Sequence, residues 1–329
     1  MKRKLFSMLL SAFALLLLMG AAAVPEQAEL ILAQEESAAV VDGQMLETDI
    51  QLEVNDVSAG DKEMPEAADE AQRTAVEPAE LFDELILING QPAPIEIGRI
   101  QSEGTTYVSL AAMAKALDES AAAAWDGSTG TVTVTTEKLT ITAHLGDYYV
   151  VANGRYLYVA ERVGQYNGTI MVPLSVVTKA FDAKLNWDAA TGLIHVQCGS
   201  GALVSGNAFY NQDDLFWLSR VIFAESGNQP LEGKMAVGNV VLNRVASPIF
   251  PNSVHGVLAQ KSQFSTYKGG KLANRTPNEG SIIAAKLVLD GGVVEEVKNA
   301  LWFDAMCSNS WAARHKACLV VIGGHKFYG

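Results

Sequence analysis

Cysteine is scarce in this chain: there are three, at 198, 307 and 318, in 329 residues. An odd number cannot pair completely. Cys307 and Cys318 are close enough in sequence to bridge, which leaves Cys198 over. Histidine is scarce too, with five scattered residues. No Cys/His spacing resembles a zinc site, and no local signature supports a catalytic Cys-His pair. No metal or other cofactor is expected. Positive charge is in deficit, with 24 Lys and Arg against 37 Asp and Glu, so nucleic acid is not an expected partner.

The acidity is concentrated in one place. From Val24 to Glu84 every charged residue except Lys62 and Arg73 is acidic. Outside that stretch and the N-terminus the chain is nearly neutral. Residues 24–84 lack sustained periodicity and cannot bury enough apolar surface to offset their ordering entropy. They read as an acidic, self-repelling disordered linker. Before it, Lys2, Arg3 and Lys4 precede an apolar run from Leu5 to Met19 and the small residues Gly20-Ala21-Ala22-Ala23. That layout is a secretory signal peptide, 1–23. The run is short for a spanning helix of about 20 residues, so cleavage is expected, with no stable membrane span afterwards. No Cys follows the run, which argues against a lipid anchor. The expected location is secreted and extracellular.

Residues 85–199 contain an internal repeat. Tyr107-Val108-Ser109-Leu110, Lys115-Ala116-Leu117-Asp118, Trp125-Asp126, Thr129-Gly130 and Thr131-Val132-Thr133-Val134 form the first copy. Met171-Val172-Pro173-Leu174, Lys179-Ala180-Phe181-Asp182, Trp187-Asp188, Thr191-Gly192 and Leu193-Ile194-His195-Val196 form the second. Each copy predicts a short helix, a strand ending in Trp-Asp, a Thr-Gly turn and a returning strand. Further strands are expected over 139–159. At these residues the segment resembles the family of copper amine oxidase N-terminal domains. The resemblance implies a stalk or spacer module, with an envelope component as its partner. It implies no amine oxidation, since no copper-ligand His pair or quinone site is present. Trp125 and Trp187 read either as faces for sugars or, more in keeping with aromatic burial, as core anchors of the two hairpins.

Residues 207–329 read as helices followed by a hairpin. Asp213 or Asp214 can cap a first helix. Leu215, Leu218, Ile222 and Glu225 then share one stripe at helical spacing. The stripe is apolar until its last member, next to a helix-stopping Ser226-Gly227-Asn228. Partial burial and the negative end of the helix dipole both favour a protonated Glu225, the state a general acid needs. Spacing alone leaves open an ordinary surface Glu at a frayed end. A second helix is expected from about 231 to 245, with small Gly233, Ala236 and Gly238 for close packing. A short helix is expected over 253–260. A capping box at Thr276-Pro277-Asn278-Glu279 opens another helix ending at Gly291-Gly292. A Gly323-Gly324 hairpin follows. The slight basic excess after Asn207 suits an anionic envelope, but ordinary surface charge accounts for it equally well.

Ala224-Glu225, Glu232-Gly233-Lys234-Met235-Ala236-Val237, Val240-Val241-Leu242-Asn243-Arg244-Val245, Phe250-Pro251-Asn252-Ser253-Val254, Gln263-Phe264-Ser265 and Ile322-Gly323-Gly324-His325-Lys326-Phe327 resemble the spore cortex-lytic cell-wall hydrolase family (SleB type). The fold class implied is α+β: a lysozyme-like, mainly helical catalytic domain with a terminal β-hairpin, preceded by the two-repeat α+β stalk. The resemblance also implies cleavage of peptidoglycan glycan strands, with the catalytic Glu at Glu225. Two departures stand out. Gln229 occupies a position where the family usually has a second Glu, and Asp304-Ala305 replaces a common Asn-Pro. Hydrolytic glycosidases usually need two carboxylates, whereas a lytic transglycosylase works with one. The expected chemistry is therefore lytic transglycosylation. The alternatives are muramidase-type hydrolysis and a catalytically silent wall-binding protein. Asn243, Gln263, Phe264 and Tyr267 are the expected substrate contacts, because amides and aromatic faces suit sugars. For Asn243 a helix-end cap, and for Phe264 a core position, are equally open.

Overall fold

The computed structural model describes residues 86–329 apart from Ser262, Cys307 and Ser308. The expected signal peptide and acidic linker lie outside the described residues. So does Cys307, one half of the pairing its spacing allowed; Cys198 and Cys318 are exposed and form no disulfide among the described residues.

The first part of the chain is rich in strands. In order come β1 (Ile86–Ile88), β2 (Gln91–Pro92), β3 (Arg99–Ser102), β4 (Thr105–Ser109), α1 (Leu110–Leu117), β5 (Ala122–Asp126) and β6 (Thr131–Thr135). Next are β7 (Thr140–His144), β8 (Tyr149–Ala152), β9 (Arg155–Tyr158), β10 (Gly164–Tyr166), β11 (Thr169–Pro173), α2 (Leu174–Ala180), β12 (Lys184–Asp188) and β13 (Leu193–Gln197). Both repeats give the helix–strand–turn–strand unit expected, as α1-β5-β6 and α2-β12-β13. The turn has a local cause. Asp126 Oδ1 accepts from Ser128 N at 2.9 Å, and Asp188 Oδ1 accepts from Ala190 N at 2.9 Å. Such Asx contacts mimic a backbone turn.

The two hairpins join different sheets. One sheet runs β5-β6-β7-β8-β9, another β12-β13-β1-β2, and a third β10-β11-β4-β3. Val132 and Val134 point into the core while the alternating Thr131, Thr133 and Thr135 do not, as a period-two strand requires. The tryptophans do not follow the expectation of burial: Trp125 is 50% and Trp187 61% exposed. Both lie on edge strands, with no sheet neighbour on the outer side among the described residues.

The second part is mainly helical: α3 (Gly206–Phe209), α4 (Gln212–Ser226), α5 (Leu231–Ala246), α6 (Val254–Ala259) and α7 (Glu279–Leu289). It closes with β14 (Trp302–Ala305), α8 (Trp311–His315), β15 (Cys318–Ile322) and β16 (His325–Tyr328), the strands ordered β14-β16-β15. Helices α4, α5 and α7 pack on one another around a core that includes Leu218, Ile222, Val237, Val241, Leu287 and Phe327. Two caps differ from expectation. Asn211, rather than Asp213 or Asp214, caps α4, accepting from both of their amides. Asn278 caps α7 by accepting from Ser281 N, so the helix starts two residues later than a Thr276 cap would place it.

A buried polar cluster lies where the two parts meet. Asp290, at the C-terminal end of α7, accepts from Arg155 Nε and Nη2 of β9, both at 2.7 Å. Lys179 of α2 pairs with the same carboxylate at 2.7 Å, and the Tyr210 hydroxyl donates to it at 3.2 Å. The Arg155 guanidinium lies 3.4 Å over the Phe209 ring. Burial alone would push the Asp290 carboxyl up, but Arg155 and Lys179 hold it below the usual carboxylate range. Tyr149, Tyr156 and Tyr158 of the first part pack against the helical core. At the crossover, a side chain on Gly206 would strike the Gly154 carbonyl. The strand-rich module is thus docked on the helical one.

Candidate active site

Helix α4 buries Leu218 and Ile222 and brings the last member of that stripe, Glu225, half-buried to the edge of a cleft of about 610 Å³. The Thr266 hydroxyl donates to Glu225 Oε1 at 2.9 Å. Burial pushes the Glu225 carboxyl above the ordinary glutamate range, partly offset by Thr266 and by the charge of Arg275. Thr266 sits in a 3-10 turn over Ser265–Gly270, directly after the Gln263-Phe264-Ser265 run.

The cleft wall is aromatic and mixed in charge. Trp302 and Trp311 are 6.0 Å apart, and Trp311 stacks on His315 at 5.1 Å. Phe264, Phe303, Arg244, Asp304 and His325 complete most of the lining. Arg244 is buried and donates from Nε to the Leu301 carbonyl at 2.7 Å, while its Nη1 has no partner among the described residues. Burial lowers its pKa to about 10, so it stays cationic at neutral pH. His325 packs edge-on against Phe303 at 5.7 Å, and its buried Nδ1 has no partner among the described residues. Burial lowers the His325 pKa, with the Glu225 backbone carbonyl pulling the other way.

Of the residues expected from sequence, Glu225, Gln263 and Phe264 line this cleft; Asn243 and Tyr267 do not. Phe264 serves both readings, being only 4% exposed and also part of the lining. Asn243 Nδ2 donates to the carbonyls of Val297 and Ala300 at 3.0 and 2.9 Å, tying α5 to the segment before β14. Asn243→Ala is expected to lower stability by about 1–3 kcal/mol, because it strands two carbonyls. Chemical denaturation measures this; a substrate contact would instead raise KM at unchanged stability. Tyr267 bonds His255 Nε2 through its hydroxyl at 2.8 Å. It lines a neighbouring depression with Trp217 and Lys268, which shares Phe264 with the cleft.

Gln229 is spent on the terminal hairpin. Its Oε1 accepts from Gly324 N at 2.8 Å, and Gly323, at φ +54°, leaves no room for a side chain beside it. A carboxylate at position 229 would meet the same turn. Glu225 is not the only acidic side chain at this cleft. Asp304 lines the same cleft, with its Oδ2 accepting from the Ser310 hydroxyl. Sequence reading passed over Asp304, Arg244, Trp302, Trp311 and Thr266. Its only hints were the Asn243-Arg244 run and the departure at Asp304-Ala305. Among the described residues no His/Cys/Asp/Glu group could hold a metal ion.

Residues 228–328 match the model of the Cell Wall Hydrolase family. This module belongs to that family. The match begins just after Glu225, so that residue's candidacy rests on the cleft geometry. Residues 87–196 match the copper amine oxidase N-terminal domain. Among curated proteins, a spore cortex-lytic enzyme of Bacillus cereus is 40% identical over 81 residues, covering 25% of this chain and 30% of that protein. One from Bacillus subtilis is 36% identical over 81 residues, covering 25% of each. This chain therefore spans less than a third of the length of these curated relatives. Among solved structures, the catalytic domain of the Bacillus cereus SleB protein is 30% identical with a TM-score of 0.34. That match covers 36% of this chain and 92% of the other.

Proposed function

We propose that the cell wall hydrolase module cleaves peptidoglycan glycan strands between N-acetylmuramic acid and N-acetylglucosamine. The observation that carries this reading is Glu225. It is a carboxyl whose pKa burial raises, set in a cleft walled by Trp302, Trp311 and Phe264. Its family membership and the names of its curated relatives support the same substrate. The lysozyme-like arrangement implied by its motifs fits this chemistry. The protein acts outside the cell, at the wall or spore envelope. Among the described residues no helix is long and apolar enough to cross a membrane.

In the chemical step Glu225 gives its proton to the glycosidic oxygen and the bond to C1 breaks. The positive charge at C1 is met by the sugar's own C6 hydroxyl, whose oxygen attacks C1. The hydroxyl proton passes to the Glu225 carboxylate, restoring the acid. The products are a 1,6-anhydro muramic end and a free N-acetylglucosamine hydroxyl, with no water consumed. Trp302 and Trp311 offer ring faces to sugars, and Arg244 Nη1 is a spare donor beside them.

Asp304 favours a second reading, hydrolysis with two carboxylates. Mass spectrometry of fragments released from purified walls separates the two. Anhydro ends one water lighter than the hydrolysed product are expected. Hydrolysed ends that disappear in Asp304→Asn would establish the second reading, and no fragments at all would mark a silent wall-binding protein.

A further inference from the structure

A second groove, of about 510 Å³, opens on the strand-rich module beside Trp187. We propose that it binds the neutral sugar rings of a glycan strand. Strand β12 forms the outer edge of its sheet, and Leu185 and Trp187 stand 40% and 61% exposed there. The exposed indole is a broad apolar face with no cover among the described residues. Gln101, Thr105 and Thr106 of the β3–β4 hairpin and Ser175 of α2 line the same groove with Leu174, and Gln101 donates to the Thr106 hydroxyl at 3.4 Å. Among the described residues no charged side chain lines the groove.

That composition selects its ligand. A pyranose ring has an apolar C–H face that matches an indole, and rim hydroxyls that both donate and accept, as Thr and Ser hydroxyls do. A few placed polar groups in a mostly apolar concavity are what orient a small ligand. The absence of cations disfavours phosphate or carboxylate groups and suits hydroxyl and acetamido groups. A second copy of the chain adding to the β12 edge is disfavoured by the charged Lys184 and Asp188 at its ends, since edge charges resist strand pairing. The proposal does not depend on cleavage at Glu225.

Calorimetric titration of the full chain carrying Glu225→Gln with N-acetylglucosamine oligomers tests it. Two sites are expected, one in the cleft and one at Trp187. Adding Trp187→Ala should weaken one site about tenfold or more, Trp187→Phe should largely preserve it, and Ser175→Ala should weaken it by a smaller factor. Ser175 is exposed, so that variant tests the groove even where Trp187→Ala fails to fold. Affinities unchanged in all three variants would overturn the proposal. So would a change confined to sedimentation, from dimer to monomer, which would make the groove a contact between copies. A single site that vanishes with Trp187→Ala would uphold this groove while removing the cleft reading.

Discussion

Glu225→Gln is expected to cut the release of soluble fragments from purified walls by about 10²–10⁴-fold, the range a positioned general acid contributes. The amide keeps an acceptor for the Thr266 hydroxyl, so the fold should survive. The wild-type pH profile follows from the direction of the shift. Burial raises the Glu225 pKa, and the reaction begins from the protonated acid. Activity should persist above the pH at which an ordinary glutamate ionises, then fall as pH passes the raised value. Stability has a matching sign. A carboxyl whose folded pKa is raised contributes stability that is complete below the unfolded pKa and is lost as pH rises through the folded one. Glu225→Gln should therefore be at least as stable as wild type at neutral pH, with the difference shrinking in acid. Thermal unfolding across pH checks this. An active variant would remove Glu225 from the mechanism.

Asp290→Ala is expected to cost roughly 3–5 kcal/mol, the penalty for breaking a buried ion pair and leaving its partner unpaired. Arg155 is 8% exposed, and its Nε and Nη2 both donate to Asp290. Lys179→Ala should cost far less, about 0–1 kcal/mol, since its side chain is 44% exposed. Chemical denaturation should show one transition for wild type. Asp290→Ala should separate it into two, as the modules lose the buried ion pair between them and keep only the tyrosine packing. The pH dependence is opposite to that of Glu225. The Asp290 pKa is depressed, so its stabilisation is present above the unfolded pKa and is lost as pH falls through the folded one. A loss below about 1 kcal/mol for Asp290→Ala would mean that the cluster contributes little to docking.

What could be read in the sequence was what repeats at short range. The stripe ending at Glu225 follows the helical period, the Val132 and Val134 alternation follows the strand period, and the Asp-x-x-Thr-Gly turns carry their own hydrogen bonds. Position in the assembled fold was not legible. Trp125 and Trp187 have the pattern of core anchors, yet whether a strand lies inside a sheet or at its edge is decided by distant partners. Arg155 and Asp290 meet across 135 residues, and no local spacing announces that pair. Asn243 has a side chain suited to sugars, but two backbone carbonyls claim it. Asp304 and Trp311 reach the cleft only because β14 and α8 fold back beside α4's end.

The pairing of β1 with β13 bears on how this molecule carries load. The strands run parallel, Ile86 beside Ile194 and Ile88 beside Val196. Asn89 extends the seam, its amide donating to the Val196 carbonyl at 2.8 Å and its Oδ1 accepting from Cys198 N at 3.0 Å. Tension applied between the chain ahead of Ile86 and the chain beyond Gln197 would pull the two strands past each other along their length. The bridging hydrogen bonds would then be strained together rather than opened one after another. A pull between those two points would therefore load the β1–β13 seam in shear rather than peel it open.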